Sequence, residues 1–174
     1  MADSVFDIQK RSDVMRFITY GIVAMLLTIV HLVFLDFVSF GGVSPDLLLL
    51  LCIWITMHEG QFVGLFWAFG IGIFLDVVSI DVVGTNGLAK LIAVFVAGFF
   101  YVEGKTNEIM SNFRFLAIVI LSAFAHNIVY FFFYIKPSEI SFFPFFIRYG
   151  ISTTLYTTVF AIFMMLVKMK KKSL

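Results

Sequence analysis

The sequence predicts an all-helical, multi-pass membrane protein with six short spans. Three observations carry this. Of its 174 residues, 61% are hydrophobic and 13% are charged, against about 45–50% and about 25% in an ordinary soluble domain. A soluble fold of this length has too little interior to hide so much apolar side chain. The charge that exists is pushed to the ends: ten of the 23 charged residues lie outside residues 17–167, leaving 13 for the 151 between. Finally, the apolar runs are broken by short turn-forming segments, with the basic residues concentrated on one side. The composition excludes a water-soluble enzyme, a disordered chain and a nucleic-acid binder.

Three segments follow: a cytoplasmic N-terminal segment 1–16, a transmembrane domain 17–167, and a basic cytoplasmic tail 168–174. Residues 1–16 carry Lys10, Arg11 and Arg16. The stretch 5–17 mixes apolar and charged residues and fits a short interfacial helix or a contact for a cytoplasmic partner. The apolar run 17–35 is longer than the about 7–15 residues of a signal-peptide core and lacks a small-residue cleavage site. It reads as an uncleaved spanning helix.

The second helix starts at the sequence Val43-Ser44-Pro45-Asp46-Leu47. Ser44 can cap it, Pro45 suits the first helical position, and Asp46 suits the positive end of the helix dipole. Its apolar run, 47–57, is short. His58, Glu59, Gly60 and Gln61 follow, and then the run 62–75. Taken as one helix, 47–75 would be roughly 43 Å long at the usual rise per residue, against a hydrocarbon core of about 30 Å. Further runs cover 88–101, 115–134 and 149–167. Splitting 47–75 gives six spans and places both basic ends on the cytoplasmic side. Nine of the 12 Lys and Arg then lie inside, which is the positive-inside pattern. The outer segments are 36–46, 78–86 and 135–147, and the inner ones are 58–61 and 102–113. Cys52, alone in a leucine run, is a small apolar filler.

The third span carries Gly60, Gly64, Ala68, Gly72 and Asp76 at every fourth position, with Gly70 widening the small face. Such spacing lets helix backbones approach closely in lipid. It serves either packing within the chain or a docking groove for a partner helix, with Gly64, Ala68, Gly72 and Asp76 as the candidate partner-binding residues. Asp76 and Asp81 lie near Lys90 in sequence. They predict an interfacial ion pair, with a ligand site or partner contact as the alternatives. Gly84-Thr-Asn-Gly87 supplies a turn and a cap before the fourth span. His126 and Asn127 fall midway along the fifth span. There they need either hydrogen-bonding partners, which Ser152, Thr153, Thr154, Thr157 and Thr158 offer, or a polar pocket. The aromatic outer segment 140–147 suits the membrane interface or a protein contact. The basic tail suits anionic lipid.

No catalytic motif is present: the sequence has no H-E-x-x-H, G-x-S-x-G, P-loop or G-x-G-x-x-G. His31, His58 and His126 fall on different spans, so no metal site is expected, and no cofactor. An enzyme acting on lipid would have only Asp76, Asp81 and Lys90 to use.

Pro45-Asp46-Leu47, Gly60, Gly64, Gly70, Gly72, Leu75-Asp76, Gly84 and Leu88, with the chain length and span layout, resemble the MreD family of rod-shape-determining membrane proteins. Lys90 lies in the same motif region, which runs from about residue 45 to 98. The resemblance implies a non-enzymatic scaffold in the bacterial inner membrane. It would associate with MreC and, through it, with MreB filaments, the glycosyltransferase RodA and a class B penicillin-binding protein of peptidoglycan synthesis. It also implies a fold similar to the S-components of energy-coupling-factor importers. A small-molecule-binding S-component is the alternative function.

Overall fold

The computed structural model describes residues 2–33, 39, 42–79, 82–135 and 141–172. Asp81, Lys136 and residues 36–38, 40 and 41 of the outer segment lie outside the described residues, as do the side chains of Lys10 and Arg11.

Helix α1 runs unbroken over Ala2–Val33, so the expected interfacial segment and first span are one helix. Nothing between them breaks it, since no proline intervenes. Helix α2 covers Leu47–Glu59. Its cap is Asp46, whose side chain accepts from Leu49 N at 2.8 Å, rather than Ser44, and Pro45 precedes the helix. Gly60 separates α2 from α3, Gln61–Val78, with φ at +94°, a conformation that disfavours any residue with a Cβ. The run 47–75 is therefore two helices. Gly84, at φ +100°, opens α4, Thr85–Gly98. After the short α5, Thr106–Met110, comes the long α6, Phe113–Ile135. The chain then forms α7, Phe142–Phe145, a π-helical turn Phe146–Gly150, and α8, Ile151–Lys172. Pro144 falls in the first turn of α7, where its missing N–H costs nothing.

Helix α2 is the hub. Leu48, Leu49, Cys52, Ile53, Ile55 and Met57 are all within 1% of complete burial, and Cys52 is the apolar filler its surroundings imply. A helix apolar on every face is one that is surrounded. One core cluster joins it to α4, α5, α6 and α8, and a second joins it to α1, α3 and α4.

Four helical stretches are long and apolar enough to cross a membrane: Asp13–Val33, Gln61–Val78, Phe113–Ile135 and Phe142–Lys170. Helices α2 and α4 are apolar but have only 13 and 14 residues, about 20 Å of rise against a core of about 30 Å. Of the six short spans expected, four are thus met by helices long enough to cross and two by shorter apolar helices. The short pair is the more enclosed, so its ends meet protein rather than lipid.

Candidate functional site

Asp46, Asn86, Lys90, His126, Asn127, Thr154 and Thr157 form one connected network at the end of the bundle where α2 and α4 begin. Lys90 is completely buried. Its ammonium group has three N–H donors, and three acceptors surround it: Asp46 Oδ2 at 2.7 Å, Asn86 Oδ1 at 3.3 Å and His126 Nε2 at 3.4 Å. With Nε2 accepting, the His126 proton sits on Nδ1, 3.3 Å from Asn127 Oδ1. Asn127 Nδ2 then donates to Gly150 O at 3.0 Å and Thr154 Oγ1 at 2.8 Å. The Asp46 backbone N–H donates to Thr157 Oγ1 at 3.0 Å. Every donor so far has an acceptor, which makes a buried polar network rigid rather than costly.

Asp76 joins this network through Asn86. Its carboxylate accepts from Gly84 N at 2.8 Å, Asn86 N at 3.1 Å, Gly87 N at 3.4 Å and Asn86 Nδ2 at 2.8 Å. It caps α4 from the end of α3, where negative charge meets the positive end of the helix dipole. The expected pairing of Lys90 with Asp76 is corrected: Lys90 pairs with Asp46, and Asp76 is occupied by backbone amides and Asn86; Asp81 lies outside the described residues.

A cavity of ≈ 700 Å³ lies against the network. Asp46, Asn86, His126 and Asn127 line it, and Tyr130, Phe131, Tyr134, Phe145 and Tyr149 form aromatic walls. His126, Tyr130 and Tyr134, one helical turn apart on α6, stack in a ladder with ring centroids 5.9 and 5.8 Å apart. These tyrosines were not evident in the sequence, where they read as part of an apolar run. Their four-residue spacing from His126 was the available signal.

The small-residue stripe of α3 faces the chain's own helices. A methyl group at Gly72 would stand 2.5 Å from Gly87 Cα and 2.6 Å from Asn86 O, so α3 and α4 touch backbone to backbone. One at Gly64 would collide with Thr56 of α2. Ala68 and Asp76 are fully buried. The face expected either to pack internally or to dock a partner is filled by α2 and α4. Gly70, on the other side of α3, has nothing within 4 Å. It helps line an apolar groove of ≈ 900 Å³ between α1 and α3, with Gly21, Ala24, Phe66, Trp67 and Phe74 among its walls.

At the opposite end of the bundle, Glu59 accepts from Arg16 at 3.2 Å and from the Tyr20 hydroxyl at 2.5 Å. This ties α1 to the α2–α3 corner. His58 is also there, stacked on Trp54, far from His126. Among the described residues, no group of three or more His, Cys, Asp or Glu could hold a metal ion.

Long apolar helices, an outer surface rich in exposed Phe, Leu and Ile and charges buried in internal hydrogen bonds define a multi-pass α-helical membrane protein. Over residues 12–172 the chain matches the family model for rod shape-determining protein MreD, and it belongs to that family. Comparison with curated proteins and with solved structures gives no match.

Proposed function

We propose that the chain is a non-enzymatic scaffold of the bacterial cell-elongation complex. In this reading it lies in the inner membrane with six membrane-embedded helices, both termini cytoplasmic, in an arrangement similar to the S-component fold. It binds MreC and thereby supports MreB filaments, RodA, a class B penicillin-binding protein and peptidoglycan synthesis. The observation that carries the reading is the family match across residues 12–172, nearly the whole chain.

The α1–α3 groove is the seat that suits a single-span partner such as MreC. Its lining includes Gly21 and Gly70, small residues that allow a helix to approach closely, and is otherwise apolar. The test is co-purification of MreC with tagged protein at native level. Wild type recovers MreC, and Gly70→Trp, which fills the groove, loses most of it with folding unchanged. Failure of wild type to recover MreC, with cell shape unaffected by depletion, rejects the scaffold. Undiminished recovery with Gly70→Trp rejects the groove as the seat.

A further inference from the structure

We propose that the cavity above the Asp46–Lys90–His126 network is a binding site for an uncharged, hydroxyl-bearing ring of monosaccharide size, either free or as the headgroup of a lipid. This goes beyond the scaffold reading and does not depend on it.

The volume, ≈ 700 Å³, falls in the range of small-molecule sites. The lining divides into two parts. On one side are Asp46, Asn86, His126 and Asn127, each less than 9% exposed; on the other are the rings of Tyr134, Phe145 and Tyr149. Carboxylate and amide groups supply the directional hydrogen bonds that hydroxyls need, and flat rings supply the apolar faces on which a ring stacks. The ionic state of the polar side selects against charge. The carboxylate of Asp46 is already matched by Lys90 at 2.7 Å, so this pair has no uncompensated charge to offer. An anion or a cation would be desolvated there without a partner, at heavy cost. A neutral hydroxylated ring needs only lone pairs and N–H groups, and the Asp46 carboxylate, which accepts from Leu49 N and Lys90 Nζ, retains unfilled acceptor directions. The aromatic wall is itself organised: Phe145 and Tyr149 are 4.5 Å apart between ring centroids, and Tyr134 stacks on Phe145 at 6.4 Å.

The test uses the full chain in nanodiscs of phosphatidylethanolamine and phosphatidylglycerol, prepared without sugar-based detergent. Glucose and a monoglucosyl diacylglycerol are the probes, with choline and inorganic phosphate as charged comparators. The expected result is saturable binding of at least one sugar probe. Tyr149→Ala should weaken it about tenfold, a loss of about 1.4 kcal/mol, whereas Tyr149→Phe keeps it because the ring face remains. Size-exclusion behaviour verifies that both variants fold. Binding of free glucose identifies a soluble source, and binding of the glycolipid alone identifies a lipid source; both support the site. No saturable sugar binding, sugar binding that Tyr149→Ala leaves unchanged, or tighter binding of choline or phosphate than of either sugar overturns it. MreC recovery, measured in parallel, reports on the scaffold reading separately.

Discussion

Lys90 Nζ lies 2.7 Å from Asp46 Oδ2, joining the second turn of α4 to the N-cap of α2 across 44 residues of sequence. Both side chains are buried, and the same carboxylate caps α2 through Leu49 N. One residue therefore starts a helix and neutralises a cation in the interior.

Removing one partner strands the other. Lys90→Met should destabilise the fold by about 3–5 kcal/mol, the usual cost of an uncompensated buried charge. Adding Asp46→Asn should recover a large part, because asparagine still caps α2 but carries no charge. Unfolding in mixed micelles, followed by the fluorescence of Trp54 and Trp67, measures the cycle. Equal destabilisation in single and double variants would show that the charge pairing is not what matters.

Gly70 and Gly72 are two residues apart and should respond oppositely. Gly72→Ala forces the α3 and α4 backbones apart and should cost about 1–3 kcal/mol, as overpacking does. Gly70→Ala enters open space and should stay within about 0.5 kcal/mol of wild type. Thermal melting of the two variants side by side decides this, and similar melting temperatures would contradict the helix crossing.

Asp76→Ala should cost the upper part of the about 0.5–2 kcal/mol range for a lost cap, because three backbone amides and the Asn86 side chain lose their acceptor. Asp76→Asn should fall between, since it keeps one acceptor oxygen. Hydrogen exchange at Asn86 and Gly87 provides a local readout: faster exchange in Asp76→Ala is expected, and unchanged exchange refutes the cap.

Asn127→Leu removes the donor to Gly150 O and Thr154 Oγ1. The expected loss is about 1–2 kcal/mol, typical of interhelical hydrogen bonds in membranes. Because Gly150 ends the π-helical turn, the loosening should centre on the start of α8. Cysteine accessibility at position 153 or 154 should rise. An accessibility change confined to α1 would contradict the assigned linkage.

Much of the layout was legible in the residues. The run 47–75 was split because it is too long for one span and because splitting puts both basic ends on one side, and the chain does turn there, at Gly60 with a positive φ. Asn127 at mid-span pointed to the hydroxyls of the last helix, and Thr154 is its partner. Other features were misread for a common reason. Lys90 was matched to acidic residues near it in sequence, yet Asp46 is nearer in space. Helices α2 and α4 are separated by one antiparallel helix, so their first turns lie at the same end of the bundle. Asp76, closer along the chain, was already claimed by the amides of α4.

By itself the sequence determined that this is a helical membrane protein, where its helices break and which family its motifs belong to. Those properties are local and additive: hydropathy sums along a segment, and glycine or a capping carboxylate acts on its own neighbours. Only the tertiary structure decided that α2 is the buried hub, that Gly64 and Gly72 face inward while Gly70 faces the groove, and that Asp46, Lys90, His126 and Asn127 line up beneath an aromatic cavity. Those outcomes depend on how each helix is rotated about its axis and which helix stands beside it. That is set by packing the whole bundle at once, and no spacing within a single helix records it.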